Sequence, residues 1–461
     1  MDTACQHPNT LSARQSCLDL DGLTLVVGLG KSGLSAVRTL VRLGTQVAVT
    51  DSRAEPPGLA ALRQEFPWIR CYLGGFNAGV FAKASRILIS PGVSVKTTVI
   101  AAAFEKGVPV WGDIELFARL VRSPVAAITG SNGKSTVTTL LGLMAERAGV
   151  AVAVGGNLGT PALDLLAAGD QQLYVLELSS FQLETTYGLN AAVATVLNIS
   201  SDHMDRYANL DEYIEAKRRT FRGTGCMVIN ADDSKVAAMA EPGRQITRFT
   251  LSKPTLGEFG LRQCNGQNWL AYGDECWLKV TDLKISGDHN LANALAALAM
   301  GHRLGLEHAA MLAALREFKG LPHRTQLVIE HHGVRWFNDS KGTNVGATVA
   351  AVGGFSSPVV LIAGGDGKGQ DFTPLRAALA DRTRALVLIG RDASLIAAAV
   401  KGIMPIHRAN DMEQAVALAA QLAKPGDSVL LSPACASFDM FSGYEERGAV
   451  FAAAVRRQAL C

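Results

Sequence analysis

At 461 residues the chain is longer than one ordinary hydrophobic core can organise, since domains run to roughly 100 to 200 residues, and three are expected. Apolar residues make up 48% and charged residues 18%, which excludes a disordered chain, and a net charge of +3 leaves no global field for nucleic acid or an anionic membrane. Eight scattered cysteines without a CxxC pair fit free thiols in a reducing cytoplasm, no signal peptide is expected because the N-terminal stretch has no basic segment followed by an apolar run, and the most apolar stretch, 292–300, is about half the ~20 residues of a membrane span.

A polar leader, 1–21, is read as poorly ordered. TLVVGLG (Thr24 to Gly30) is then an apolar run ending in glycines, followed by helical spacing from Gly33 to Gly44; QVAVTDSR gives a second strand ending at Asp51 and RILISPG a later one. Strands alternating with amphipathic helices imply a parallel sheet with helices on both faces. The pattern restarts after Ser123-Pro124 with VAAITG and a helix from about Lys134 to Gly149, and continues through strands at VAVAVGG, LYVLELS and AVATVLNI. Short alternating runs from about Arg248 to Ile285 predict a small antiparallel excursion, before a long helix at His289 to Gly305. Beyond a boundary near Gly320-Leu321-Pro322, PVVLIAGG, ALVLIG and SVLLSPA again read as buried parallel strands. The fold class is α/β: a Rossmann-like first domain at 22–112, a central phosphate-loop domain at 113–321 and a second Rossmann-like domain at 322–461.

The loop Gly130-Ser131-Asn132-Gly133-Lys134-Ser135-Thr136 lies between a strand and a helix. Ile128 stands where the strict template has its first glycine, but the context meets the physical requirement. Glycines let backbone N–H groups point at phosphate oxygens, the helix N-terminus adds partial positive charge, Lys134 supplies a mobile cation, and Ser135 or Thr136 offers a hydroxyl to Mg²⁺. ATP is the expected ligand. A second motif, GLGKSG (Gly28 to Gly33), satisfies GxGxxG after a strand, with Asp51 near the distance of a ribose-binding acid. It reads either as a dinucleotide site or as a seat for a nucleotide-diphosphate substrate. Ser90-Pro91-Gly92 is either a turn facing the same crevice or an ordinary Pro-Gly turn.

Glu177 sits in an apolar strand where an unpaired carboxylate is costly to bury; it reads as a magnesium ligand across from Ser135 or as a solvent-facing strand end. His203, beside Asp202 and Asp205, reads as a ligand or a loop hydrogen-bonder. By its position alone Lys217, in LDEYIEAKRRTF, is one of several exposed basic residues.

GSNGKST, ELSSFQLE, DHMDRY, GDHNLANALAA, LPHRTQ, NDSKGTN and SPACASFD, in that order, resemble the Mur ligases of peptidoglycan synthesis from about Gly22 to Arg447. The last two strings are similar to those of the members that add D-glutamate. The resemblance implies an ATP-driven amide bond between the carboxylate of UDP-N-acetylmuramoyl-L-alanine and the amine of D-glutamate, through an acyl phosphate, in a cytoplasmic monomer that neither inserts into membranes nor binds nucleic acid. It implies two Mg²⁺ ions, the first on Ser135 and Glu177, the second on His203 and a carbamylated Lys217, reversing the exposed reading of that lysine. Asn293 resembles the adenine-contacting asparagine, and Arg324 and Asp339 the residues through which the C-terminal domain closes on ATP. Thr343, Lys368, Ser437, Phe438 and Tyr444 match the D-glutamate pocket. Gly30, Lys31, Ser32, Asp51, Ser52, Ser90, Pro91, Gly92 and Asn157 match the UDP-sugar contacts, with Lys31, Phe438 and Tyr444 departing from the family's usual residues. A different ligase substrate, a dinucleotide-dependent oxidoreductase and a phosphate-loop switch are the competing readings.

Overall fold

The computed structural model describes residues 20–169 and 171–460, so all but the last two residues of the expected leader lie outside the described residues. Its backbone forms three sheets in series. In the first, β1 (Leu23–Val27), β2 (Gln46–Asp51), β3 (Arg70–Leu73), β4 (Arg86–Ile89) and β5 (Val110–Gly112) are all parallel, in the order β3-β2-β1-β4-β5. Helices cover both faces, which is why a strand such as β1 can be apolar throughout, with Leu25, Val26 and Val27 fully buried. The chain runs outward through β2 and β3, then crosses back to lay β4 on the other side of β1. Beyond the C-terminal ends of β1 and β4 this leaves the switch-point crevice at which open α/β sheets take ligands.

The central sheet comprises β6 (Val125–Thr129), β7 (Val152–Gly156), β8 (Leu173–Glu177), β9 (Val193–Val196), β10 (Cys226–Asn230), β11 (Ile246–Phe249), β12 (Phe259–Cys264), β13 (Gln267–Tyr272) and β14 (Glu275–Lys279). Its order is β14-β13-β12-β11-β10-β9-β6-β8-β7, so β6 lies between β8 and β9, with Ile128 opposite Glu177 and Thr129 opposite Val196. The expected antiparallel excursion is the meander β12–β14. It extends the central sheet, because Phe249 of β11 pairs in parallel with Phe259 of β12. By doubling back, that meander brings Cys264 and Cys276 side by side, 6.9 Å apart at Cα, whereas Cys71, Cys226 and Cys435 are free thiols remote from one another in the chain. Helices Lys134–Arg147, Asp288–Arg303 and His308–Glu317 close one face, where Val137, Leu140, Leu141 and Met144 share a core with Leu295, Leu298, Met311 and Leu315.

In the third sheet, β15 (Gln326–His331), β16 (Val334–Asn338), β17 (Val359–Gly364), β18 (Thr383–Ile389), β19 (Ile406–Arg408) and β20 (Ser428–Leu431) take the order β15-β16-β20-β17-β18-β19, parallel except for the β15–β16 hairpin. Its switch point lies between β17 and β20. The loops leaving those strands meet at a bridge between Asp366 and Ala436. No helix among the described residues is long and apolar enough to cross a membrane.

Candidate active site

Between the end of β6 at Thr129 and the helix start at Lys134 the chain has four residues in which to turn. Gly133 makes the turn with φ +84°, and a Cβ there would stand 2.3 Å from Asn293 Oδ1, so both the backbone and the neighbour require glycine. The loop thus ends on a helix N-terminus, whose dipole favours an anion. Lys134 Nζ curls back to donate to the carbonyls of Gly130 (2.8 Å) and Ser131 (2.9 Å). Burial lowers its pKa, against the pull of Glu177 and Asp202. Ser131 and Thr136 are buried beside it, and the Asn132 N–H donates to Asn198 Oδ1 at 2.8 Å.

Glu177, at the end of β8, is 3% exposed. Its Oε1 accepts from Asn157 Nδ2 at 2.6 Å, while Oε2 is buried with no hydrogen-bond partner. An orphaned carboxylate oxygen is costly, and a cation is the partner that offsets it. Glu177 and the Ser135 hydroxyl line one cleft and are hard oxygen donors; this set suits Mg²⁺, which takes its remaining oxygens from phosphates and water. Among the described residues no group of three or more His, Cys, Asp or Glu side chains gathers into a metal site without such help.

His203 adopts φ +59° and lays its ring 4.7 Å from that of Phe181, with Nε2 3.7 Å from Asp202 Oδ2. Burial lowers its pKa to about 4 despite Asp202, leaving a neutral imidazole at pH 7. Lys217 is 2% exposed, which overturns the solvent-facing reading of its helix position. Its Nζ donates to the Gly130 carbonyl at 2.8 Å and lies 4.5 Å from the Tyr213 ring centre. Burial, reinforced by Lys134, holds the amine well below its ordinary pKa.

The C-terminal sheet reaches this site directly. Arg324 Nη2 donates to Ser135 Oγ at 2.8 Å. Asn344, capping the helix Val345–Gly353, exchanges hydrogen bonds with the Asn132 amide (3.1 and 3.3 Å) and donates to Asp202 Oδ2. Lys368, at φ +51°, donates to Asp202 Oδ1 at 2.6 Å. Asp339 accepts from the Thr325 N–H and the Ser432 hydroxyl, yet burial raises its pKa to about 6. Asn293, Arg324 and Asp339 line a cavity of about 280 Å³ with Gly133 and Thr136.

A cleft of about 880 Å³ joins the first sheet to the phosphate loop. Gly30, Lys31, Ser32, Asp51, Ser52 and the Ser90-Pro91-Gly92 turn line one end; Ser135, Asn157, Glu177, Lys341 and Tyr444 line the other. Asp51 accepts from the Leu29 N–H at 2.7 Å and from Arg53 through both oxygens. Burial alone would raise its pKa, but these donors hold it at about 2. Its oxygens are therefore engaged in shaping the glycine loop, and Arg53 lines the cleft beside it. Of the remaining expected residues, Thr343 lines a pocket with Asp202, His203 and Lys217, Tyr444 lies under Lys341 at 3.7 Å, and Ser437 is buried. Phe438 points outward, 75% exposed.

Sequence reasoning assigned no role to Asp202, Arg53, Asn344 or Arg447. Arg447, 1% exposed, donates to the Ser340 hydroxyl and carbonyl and the Cys435 carbonyl, tying the Asp339–Lys341 segment to the loop after β20. An acid adjoining His203 and a basic residue two beyond Asp51 were the available signals for two of them.

Three family models match the chain in order: the Mur ligase MurD-like N-terminal domain over 23–112, the Mur ligase middle domain over 128–301, and the Mur ligase glutamate ligase domain over 323–435. The UDP-N-acetylmuramoylalanine--D-glutamate ligase of Nitrosococcus oceani is 56% identical over 440 residues, covering 95% of this chain and 97% of that protein. The protein of the same name from Pseudomonas aeruginosa is 52% identical over 448 residues, 96% and 100% of the two chains. Among solved structures, MurF ligase of Thermotoga maritima in complex with ADP aligns with TM-score 0.61 at 17% identity, covering 95% of both chains. UDP-N-acetylmuramate-alanine ligase MurC of the same organism aligns with TM-score 0.60 at 19% identity, over 95% and 100%.

Proposed function

The chain belongs to the Mur ligase family, and on that premise we propose that it joins D-glutamate to UDP-N-acetylmuramoyl-L-alanine, with ATP converted to ADP and phosphate, as a step of peptidoglycan precursor synthesis. The observation that carries this reading is the cleft running from the glycine loop of the first sheet to Ser135 and Glu177. A nucleotide-sugar seated at its outer end extends its far carboxylate toward the γ-phosphate position, which neither a dinucleotide oxidoreductase nor a switch requires.

A carboxylate is a poor electrophile, so it is activated first. Its oxygen attacks the γ-phosphorus, the bond to the bridging oxygen breaks and ADP leaves, giving an acyl phosphate. The D-glutamate amine then attacks the acyl carbon, and the tetrahedral adduct collapses with loss of phosphate and one amine proton. Phosphoryl transfer asks the protein mainly for positioning and charge neutralisation. Lys134 and the loop Gly130 to Thr136 hold the phosphates, Asn293 contacts the base, and Arg324 and Asp339 close over the nucleotide. Gly30, Lys31, Ser32, Asp51, Ser52, Ser90 to Gly92 and Asn157 seat the UDP sugar; Thr343, Lys368, Ser437 and Tyr444 seat the amino acid, with Phe438 at the solvent-exposed edge of that pocket.

Ser135 and Glu177 would hold one Mg²⁺, and His203 with a carbamylated Lys217 a second. When bound, the ions neutralise phosphate charge. Support for the first is the orphaned Glu177 oxygen; for the second, the buried Lys217 amine, whose lowered pKa favours the uncharged form that adds CO₂. Domain limits of 22–112, 113–321 and 322–461 and action as a cytoplasmic monomer complete the reading; the extents of the three sheets support the limits. Phosphate release measured with ATP and UDP-N-acetylmuramoyl-L-alanine is the test. It should depend on D-glutamate, and either release without any amine or preference for another amino acid would overturn the reading.

A further inference from the structure

Three residues beyond His203, Arg206 sits in a buried interdomain seam, its side chain 13% exposed. Its guanidinium is fully directed. Nε and Nη2 donate to the two carboxylate oxygens of Glu184 at 3.2 and 2.6 Å, Nη1 donates to the Pro91 carbonyl at 3.1 Å, and Nη2 also to the Val93 carbonyl at 3.3 Å. The face of the group lies 4.2 Å from the Phe181 ring centre, and that ring in turn packs 4.7 Å from His203.

One planar group therefore holds three segments. The first is the turn after β4, where Pro91 and Val93 line the substrate cleft and Ser90 Oγ donates to the Gly28 carbonyl of the glycine loop at 2.8 Å. Residues 181–184, just beyond Glu177, form the second, and the loop bearing Asp202 and His203 the third. A compact lysine ammonium could replace the charge but not this fork-and-stack geometry. The ion pair Lys96–Glu212 between these units is exposed on both sides (61% and 41%), where it is worth little, and other contacts across the seam, such as Ser35 Oγ donating to Asp164 at 2.7 Å and Arg119 over the Trp111 ring, do not reach the loop bearing His203.

We propose that Arg206 is a positioning residue for the ligase reaction: it fixes the distance between the seat of the nucleotide sugar and the loop carrying His203, so that the substrate carboxylate arrives in register with the γ-phosphate. This inference rests on the functional reading above. A displacement of about 1 Å in such a register costs on the order of a hundredfold in rate.

Two variants test it in the full-length chain. Arg206→Lys keeps the charge and loses the fork; Arg206→Met combined with Glu184→Met leaves no unpaired buried charge, which guards against simple misfolding. Phosphate release is followed against each substrate, with ATP affinity from calorimetry and the melting temperature recorded in parallel. Expected for both variants is a KM for UDP-N-acetylmuramoyl-L-alanine raised about tenfold and a kcat lowered tenfold to a hundredfold, with ATP affinity and melting temperature near wild type. Wild-type kinetics in both, or losses of ATP affinity and melting temperature in step with activity, would reduce Arg206 to a structural residue. A wild-type chain without D-glutamate-dependent release overturns the functional reading and this inference together; an active wild type with indifferent variants overturns this inference alone.

Discussion

Asp339→Asn should stabilise the C-terminal unit at neutral pH and leave it unchanged in acid. The carboxyl is 7% exposed, and burial raises its pKa from 3.8 to about 6 even with the Ser432 hydroxyl and Thr325 N–H donating to it. A raised carboxyl pKa means that the folded chain holds the proton more tightly than the unfolded one. The stability this confers is complete below pH 3.8 and is lost as the pH rises through about 6. The interval corresponds to about 3 kcal/mol against the folded state at pH 7 and above. Asparagine carries no such penalty: its carbonyl can serve the Thr325 N–H, and its NH₂ can donate to Ser432 if that hydroxyl reverses, with about 1 kcal/mol forfeited if it does not. Urea unfolding is the assay, followed through a fluorotryptophan at Trp336, a buried residue of β16, because a chain of three units need not unfold in one step. The variant should exceed wild type by about 2–3 kcal/mol at pH 7.5, with the gap closing toward pH 4. A gap independent of pH, or one of opposite sign, would refute the burial argument.

Lys217→Ala should lower turnover by at least about a thousandfold, with partial restoration by added formate or acetate, while removal of three buried methylenes costs only about 2–3 kcal/mol of stability; a phosphate-release assay finding full activity without rescue would remove the metal-ligand role. Asn132→Ala and Asn344→Ala should be non-additive in kcat/KM, coupled by about 1 kcal/mol through their reciprocal amide bonds, and a double-mutant cycle that closes to zero would show that closure does not use the pair. Burial holds Lys341 at about 8, so at pH 8 to 9 nucleotide binding should raise that value and draw a proton from the buffer. Calorimetry in buffers of different ionisation enthalpy measures that uptake, which should be absent in Lys341→Met.

The strand–loop–helix at Gly130 to Thr136 was legible because its requirements are local: an apolar strand, glycines at the turn and a lysine opening the helix. The antiparallel excursion was legible for the same reason, through its alternation. Its attachment to the central sheet rests on a single β11–β12 pairing that no pattern announces. Lys217 shows the limit more sharply. Helical spacing places it among arginines, and only the fold folds it under the phosphate loop, 87 residues earlier in the chain. The Asp202 contacts with Asn344 and Lys368 span 142 and 166 residues between separate sheets, and the side-by-side placement of Cys264 and Cys276 depends on how a meander doubles back. Ordered motifs could name these residues through resemblance but could not state which side chain answers which.

The buried charges give the arrangement a common logic. Lys134, Lys217, Arg324 and Lys341 converge around the phosphate loop with pKa values lowered chiefly by burial, and the three lysines are each lowered further by another of the group. Their acidic counterparts are Glu177, with one oxygen unpaired, Asp202, already engaged by Lys368, and Asp339, which burial keeps partly protonated near pH 6. Such a cluster is under-neutralised by its own acids. A polyphosphate supplies the missing negative charge, and a cation at Glu177 supplies positive charge where the carboxylate lacks it, so neither imbalance is removed by adding the other alone. Loops from all three sheets meet at the same place: the turn after β4 of the first, the phosphate loop after β6 of the second, and the loops bearing Asn344 and Lys368 of the third. Bringing these loops together requires contacts across the seams; resemblance reached Arg324 and Lys368 there, but not Asp202, Asn344 or Arg206.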